Sequence, residues 1–519
     1  MTVMKYNKFQ LLDCSLRDGG YYTNWDFKDN IVENYISAMQ DLPVDLLEIG
    51  YRSIPKKEYF GKYFYYPDFV INKIHKLNRN NKRLALMFNE KDTLPEHLDK
   101  LLSGLDGKIS LIRLAVDPTK FERALKLGEA IKKRGFNITF NLMYMSKYYQ
   151  DKSFLVKLKE LNGLVEYQIA VDSYGGMLPQ QVKELVENMK SNCDEKVGFH
   201  GHNNLELAFA NTLSAIDAGC DVVDGTIMGM GRGAGNLKTE LLLTHFASKG
   251  ILDFDFNILS KLIELWTSLH KEHEWGTNLP YMVSGANSLP QKDVMEWVTQ
   301  RFYSFNSIIR ALNNQKIGEQ DNIRLPIFKP TQYYKNIVII GGGPNAINHA
   351  DAIKSFIDKL ENVCIVHASS KNAKSYEDVN CKQFFCLVGN EGHRLESVFN
   401  DLKSLTGQCV LPPYPRKMGT YLPEVIKEKS FELAEVNFTD QFMDAHTSLA
   451  LQTALDLKAE SIYIAGYDGY DSQTISAKER SLIAENEYIF QKAMSKANLV
   501  SITSTHYSLK TESVYSLIS

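Results

Sequence analysis

The sequence predicts an α/β protein, a (β/α)8 barrel with a helical extension followed by a Rossmann-like α/β domain, and three observations carry that prediction. Short β-rich runs alternate with longer helix-forming segments from residue 9 to about residue 250, eight runs in all, which is the number and size of a (β/α)8 barrel. Polar residues gather at the ends of those runs (Asp13, Glu48, Asn89, Arg113, Asn141, Asp172, His200, Thr226), where barrel enzymes carry their sites. After the stretch Pro326-Ile327-Phe328-Lys329-Pro330 a new strand, glycine turn and helix begin. A doubly wound open sheet is the alternative for the first part and explains eight repeats less well.

Taken in order, the strand runs lie at 9–14, 44–49, 83–88, 110–116, 137–143, 165–171, 196–200 and 221–226. Helices are expected at 28–40, at 118–133 before Gly135, at 179–189 behind Pro179, and at 205–218 before Gly219. The first domain is drawn as 1–252. A helical extension and linker occupy 253–332, with helices at 258–273 and 294–312 broken by Trp275-Gly276-Thr277-Asn278-Leu279-Pro280-Tyr281. The last domain is drawn as 333–519, with strands at 336–340, 363–367, 384–388, 409–411 and 461–465 and helices near 345–360, 445–458 and 478–496.

At 519 residues, 44% hydrophobic and 23% charged, the chain has the composition of a globular protein of two or three domains. A net charge of −3 without charge blocks gives no sign of a nucleic-acid or membrane-surface partner. No apolar run approaches the roughly 18 residues of a spanning helix, and the first residues lack the apolar core of a signal peptide. Seven scattered cysteines without a CxxC pair suit reduced thiols. A cytoplasmic homo-oligomer is expected.

Two stretches bear the chemistry of the first domain. Leu12-Asp13-Cys14-Ser15-Leu16-Arg17-Asp18-Gly19-Gly20 closes the first strand with an arginine, a carboxylate and two glycines. Phe199-His200-Gly201-His202-Asn203-Asn204 closes the seventh with two histidines at i and i+2, which point to one side of a strand and can grip one ion. Asp18 supplies an oxygen ligand, since two imidazoles and a carboxylate suit a divalent ion with open positions. A third stretch, Gly229-Met230-Gly231-Arg232-Gly233-Ala234-Gly235-Asn236, adds glycine-rich backbone and an amide to the same mouth. Tyr281 of the extension is a further substrate-binding candidate, as is Arg113 from the fourth strand end.

These motifs, with Asp172-Ser173-Tyr174-Gly175-Gly176 after the sixth strand, resemble the DRE-TIM metallolyase superfamily over roughly residues 8–295. That superfamily includes 4-hydroxy-2-oxovalerate aldolase, hydroxymethylglutaryl-CoA lyase and the isopropylmalate and homocitrate synthases. Asp13–Gly20 matches the family's D-x-[ST]-L-R-D-G, and the continuation Gly20-Tyr21-Tyr22-Thr23-Asn24-Trp25-Asp26-Phe27 looks most like the aldolase branch. The resemblance implies a carbon–carbon lyase in which Asp18, His200 and His202, with Asn236 as a further ligand, hold Mn²⁺ or Mg²⁺. A 2-oxo acid would bind the ion and react with an aldehyde through its enolate; Arg17 would donate to the developing oxyanion, and Glu48 would orient Arg17.

The chain departs from the family at two places. Tyr21 stands where the hydroxyvalerate aldolases carry a histidine base, so Tyr21, Tyr22 or a metal-bound water is expected to move the proton. Arg232-Gly233 replaces the Glu-Arg of the acyl-CoA synthases, which favours aldol over Claisen chemistry and makes Arg232 a candidate for an anionic substrate group. An acyl-CoA synthase or lyase is the alternative.

In the last domain Gly341-Gly342-Gly343-Pro344-Asn345-Ala346 fits G-x-G-x-x-A, but the next strand ends His367-Ala368-Ser369-Ser370-Lys371 without the acid that NAD needs. NADP stays open, and with it a bifunctional aldolase–reductase. The segment 336–510 is similar to the DUF115 and sialyltransferase-like Rossmann domains, which implies a nucleotide or nucleotide-sugar at Gly341, Gly343 and Asn345, with Asp468, His446 and His506 nearby. The expected activity is thus a metal-dependent aldolase joining a 2-oxo acid to an aldehyde, in one version a sugar or nucleotide-sugar aldehyde of polysaccharide synthesis.

Overall fold

A computed structural model describes residues 9–299, 303–400, 402, 405–470 and 475–519. The chain divides into two compact units, residues 1–295 and 296–519. In the first, eight parallel strands close into a barrel in sequence order: β1 (Gln10–Asp13), β2 (Leu46–Tyr51), β3 (Arg83–Asn89), β4 (Leu111–Val116), β5 (Asn137–Leu142), β6 (Tyr167–Asp172), β7 (Lys196–Gly201) and β8 (Val222–Gly225). Each overlaps the run expected for it, and β1 pairs with β8 to complete the ring.

Strand alternation sorts the barrel's side chains. Leu47 and Ile49 of β2 face the helices, whereas Leu46 joins Leu12, Ala85, Leu111, Ile169 and Val222 in an apolar plug inside the barrel. Two residues further along the same inward columns, Leu46 gives way to Glu48, Leu111 to Arg113, Gly198 to His200 and Val222 to Asp224. The interior is therefore apolar at the amino end of the strands and charged at the carboxyl end. Asp13 has the opposite parity: its carboxylate accepts hydrogen bonds from Ser15 N (2.9 Å), Tyr35 Oη (2.6 Å) and Thr239 Oγ1 (2.6 Å), bracing the barrel rather than facing its lumen.

The expected extension is shared between the units. The helices Phe256–His273 and Leu279–Ala286 belong to the first, and Phe305–Lys316 to the second. The single helix expected at 294–312 is two, Gln291–Thr299 and Phe305–Lys316, and residues 300–302 of that span lie outside the described ones. The proline-flanked stretch expected as a linker is an edge of the second unit's sheet. Phe328 is buried in its core, its N–H donates to Glu432 O at 2.7 Å, and Glu432 N–H donates to Pro326 O at 2.9 Å.

The second unit is one parallel eight-stranded sheet: β9 (Asn336–Ile340), β10 (Val363–His367), β11 (Lys382–Cys386), β12 (Gln408–Leu411), β13 (Ser430–Glu432), β14 (Ser461–Ala465), β15 (Asn498–Ser501) and β16 (Lys510–Thr511). Their spatial order is β13-β12-β11-β10-β9-β14-β15-β16, so the winding reverses at β9. Ile337 and Ile339 pack with the helices His446–Asp456 and Ala477–Met494 on one face, and Val338 and Ile340 with Ala350–Lys359 on the other. No helix among the described residues is long and apolar enough to cross a membrane.

Candidate metal centre and active site

The charged layer of the barrel closes into a ring. Arg17, in the helical turn after β1, donates through Nε to Glu48 Oε2 (2.9 Å), and the same oxygen accepts from Arg113 Nη1 (2.9 Å). Arg113 donates through Nη2 to Asp224 Oδ2 (2.6 Å), which also meets His200 Nδ1 (2.9 Å). His200 Nε2 lies 3.4 Å from Asp18 Oδ2, and Asp18 Oδ1 pairs with Arg17 Nη1 to complete the circuit. Two guanidiniums and three carboxylates leave one net negative charge while His200 is neutral, in a place almost closed to solvent. A buried surplus of negative charge is costly unless a cation meets it.

The donor set fits a divalent cation. His200 has its Nδ1 engaged by Asp224, and His202 its Nδ1 by Asp172 O (2.8 Å), so each ring keeps Nε2 for an ion, that of His200 facing Asp18 Oδ2, and has the outer-sphere partner that metal-bound imidazoles use. The two rings stand 5.0 Å apart and nearly perpendicular. Asn236 Nδ2 donates to Asp18 Oδ2 (2.5 Å), while its Oδ1 is buried with no hydrogen-bond partner among the described residues, a spare oxygen beside the set. Cys14 Sγ also falls within 4.8 Å of ligand atoms of Asp18 and His200, but burial pushes that thiol well up and it points at Gly225 O (3.5 Å), so it stays protonated.

The protonation states follow from the same contacts. Burial raises Asp18, but Arg17 and the two histidines outweigh it and hold the carboxylate well below the usual range. Burial and the neighbouring His200 push His202 down to about 3, leaving it neutral. Burial lowers His200 too, yet its hydrogen bonds to Asp18 and Asp224 raise it overall.

Backbone contacts make the mouth rigid. Asn203 N–H donates to Gly235 O (2.8 Å) and Asn236 N–H to Gly229 O (3.0 Å). Gly235 has φ +82°, and a Cβ there would lie 2.1 Å from Gly229 O, so only glycine closes this loop. Tyr22 Oη donates to Gly233 O (2.9 Å), and Trp25 Nε1 to Arg17 O (2.8 Å). Above the ring opens a cavity of about 340 Å³ lined by Arg17, Asp18, Tyr21, His200, His202 and Arg232, among others.

Arg17, Asp18, Tyr21, His200, His202 and Arg232 thus meet at one cavity. Glu48 and Arg113 sit beneath it, wholly buried: Glu48 lies mid-strand rather than at a strand end, and Arg113, expected at the substrate, spends its guanidinium on Glu48, Asn141 and Asp224. Tyr281 is buried behind the Arg232 loop and does not line the cavity; burial, and Tyr22 beside it, push its phenol far up. Asp224 escaped the sequence reading, although an acid two residues beyond Val222 shares its inward parity, which is the signal that would have found it.

In the second unit the glycine turn differs from the expected phosphate cradle. Gly341 N–H donates to Ala465 O (2.8 Å), Gly343 N–H to Gly466 O (2.8 Å) and Asn345 N–H to Asp468 Oδ2 (2.9 Å), so those amides are taken. A Cβ at Gly343 would lie 2.7 Å from Gly466 O and 2.8 Å from Asp468 Cγ, so the glycine serves the approach of that loop. The Asp468 carboxylate stands where a phosphate would come, and the helix behind the turn has only four residues. A cavity of about 510 Å³, mostly apolar, opens elsewhere in this unit, past the ends of β11–β13 beside Val388, Tyr414, Met418 and Tyr421.

Comparison with known proteins places the barrel. An HMGL-like family model matches residues 114–265. An oxaloacetate decarboxylase of Mycobacterium tuberculosis is 30% identical over 250 residues, 47% of this chain and 71% of that protein. A 4-hydroxy-2-oxovalerate aldolase of Chloroflexus aurantiacus is 30% identical over 236 residues, 45% of this chain and 67% of that protein. The crystallised N-terminal domain of a candidate aldolase from Bacteroides vulgatus aligns over its whole length with 58% of this chain, at 51% identity and a TM-score of 0.55. With its barrel closed around the Asp18, His200 and His202 set, the chain belongs to the HMGL-like, DRE-TIM family and is a divalent-metal-dependent carbon–carbon lyase.

Proposed function

We propose that the barrel makes and uses the enolate of pyruvate or a closely related 2-oxo acid, forming or cleaving the bond between its methyl carbon and an aldehyde. The observation that supports this most is the ring with His202 beside it: together they bring two imidazoles, a carboxylate and a guanidinium to a small cavity. A divalent ion held by Asp18, His200 and His202, with Asn236 beside them, supplies the Lewis acidity that offsets charge on the enolate oxygen. Arg17 is the electrostatic partner. Its Nε and Nη1 are held by Glu48 and Asp18, while Nη2 makes no hydrogen bond among the described residues and is left for the substrate oxygen. Loss of one such donor costs about 3 kcal/mol of barrier.

Proton transfer falls to Tyr21. Its Oη lies 3.3 Å from Tyr51 Oη, within hydrogen-bonding reach, and burial pushes the Tyr51 phenol far up, so Tyr51 stays neutral. A neutral phenol is a proton donor, which suits the step that protonates the enolate carbon after cleavage. In condensation the balance runs the other way: the methyl carbon loses a proton, its electron pair attacks the aldehyde carbon, and the former carbonyl oxygen gains a proton. Oxaloacetate decarboxylation leads to the same enolate and is the second reading, favoured by the Mycobacterium relative. The aldehyde is assigned to the barrel cavity; NADP and nucleotide-sugars find no free amides at Gly341, Gly343 and Asn345 and form no part of the proposal.

The test is proton–deuterium exchange at the methyl group of pyruvate, followed by NMR on chelator-treated protein with and without Mn²⁺. Exchange should need the ion, fall at least 100-fold in Asp18→Asn and at least tenfold in Tyr21→Phe. Wild-type protein that is loaded with Mn²⁺ yet neither exchanges pyruvate nor decarboxylates oxaloacetate would refute it.

A further inference from the structure

Arg232 is a cation that the fold itself does not use. It is half-buried on the pinned 229–236 loop, lines the cavity beside His202, and rests over the Tyr21 ring at 5.5 Å from the centroid. Its guanidinium makes no ion pair and donates no hydrogen bond among the described residues, in contrast with Arg17, which pairs with Glu48 and Asp18, and Arg113, which pairs with Glu48 and Asp224. The outer wall repeats the imbalance. Five cationic side chains (Arg17, Lys91, Lys120, Arg123, Arg232) line the cavity against three carboxylates (Asp18, Glu90, Asp117). Those carboxylates are occupied: Asp18 by Arg17, Glu90 by Arg123, and Asp117 by the N–H and hydroxyl of Thr119. Lys91 and Lys120 make no ion pair among the described residues.

A planar guanidinium, half-desolvated and held by a rigid loop, is built to take a carboxylate or phosphate through two parallel hydrogen bonds. Resting on the 2-oxo acid reading above, we infer that Arg232 recognises a second anionic group on the other side of the bond being made or broken. The aldehyde partner is thus an anion, either a carboxylate or a phosphate, and the condensed product carries negative charge at both ends. The 2-oxo end lies at Asp18, His200 and His202, and the distal anion lies at Arg232, in a cavity that Lys91 and Lys120 also line. Arg232 is a specificity residue here, and touches the substrate away from the reacting carbons.

Two inert probes of equal length isolate this charge: 2-oxoglutarate, with a distal carboxylate, and 2-oxopentanoate, without one. Calorimetry on the full chain loaded with Mn²⁺ should show 2-oxoglutarate binding at least tenfold tighter. In Arg232→Gln that ratio should fall to within about threefold, and Arg232→Lys should keep part of it. Equal binding of both probes to the wild type would overturn the inference, as would an Arg232→Gln variant that loses affinity for both alike, which would assign Arg232 to the 2-oxo end or to the loop. Failure of the wild type to bind either probe would sink the 2-oxo acid reading, and this inference with it. Condensation of pyruvate with glyoxylate, glyceraldehyde 3-phosphate and uncharged glycolaldehyde then separates the sources. A preference for glyoxylate marks a carboxylate, one for the phosphorylated aldehyde marks a phosphate, and a preference for glycolaldehyde refutes both.

Discussion

Asp224→Asn tests whether the buried ring tunes the metal centre or only braces the barrel. Asp224 Oδ2 alone accepts from Arg113 Nη2 (2.6 Å) and His200 Nδ1 (2.9 Å), and Oδ1 is buried without a partner among the described residues. An asparagine that keeps its oxygen on the Oδ2 side preserves both contacts in neutral form but buries an NH₂ with no acceptor, at a cost of about 1–3 kcal/mol. It also removes the ring's net negative charge and half the neutralisation of Arg113. Loss of an outer-sphere partner weakens metal binding 10- to 100-fold, or about 1.4–2.7 kcal/mol. The assay is titration of chelator-treated protein with Mn²⁺, reading the free ion by electron paramagnetic resonance, beside urea unfolding of the metal-free protein. The expected result is both a weaker ion and a less stable barrel. Mn²⁺ affinity within threefold of wild type, in a variant whose metal-free stability has dropped, would show that the ring braces the barrel without reaching the ion.

Metal binding should depend on pH through His200. Its folded pKa is raised above 6.5, so the metal-free protein holds a proton there that the ion must displace. Affinity should climb by up to about tenfold per unit from pH 6.5 upward and level off above the raised value, with proton release visible by calorimetry in two buffers; flat affinity between pH 6 and 8 would contradict this. The same raised pKa means that the His200 contribution to metal-free stability is complete below pH 6.5 and lost as pH rises through the folded value. In the second unit Gly343→Ala should destabilise by about 1–3 kcal/mol, because the new Cβ meets the Gly466 carbonyl and Asp468. Wild-type protein should show no NADPH binding at that turn, measured by fluorescence; saturable binding lost in Gly343→Ala would restore the cofactor reading.

Much of this protein was legible from local pattern. The eight barrel runs were visible because each is a short apolar segment bounded by turn formers, and His200 with His202 followed from the two-residue period of a strand. Arg17 and Asp18 stood out as a charged pair directly after a buried run. In the second unit β9, β10 and β14 were visible for the same reason, whereas β13, β15 and β16 have two to four residues each and too little periodicity to register.

What the tertiary structure decided are relations between strands far apart in sequence. Glu48, Arg113 and Asp224 are separated by 65 and 111 residues at their contacts, and only barrel closure makes them one ring. That closure moved Arg113 from the substrate to the support beneath it and brought in Asp224, which no local motif marks. The glycine turn at 341–343 shows the same limit from the other side. Its sequence is compatible with a phosphate cradle, but the amides such a cradle needs were taken by Ala465, Gly466 and Asp468, more than 120 residues on. Parity along a strand is a property of neighbouring residues and can be read in order; which buried charges neutralise one another, and which amides remain free, depends on the packing that brings distant strands together.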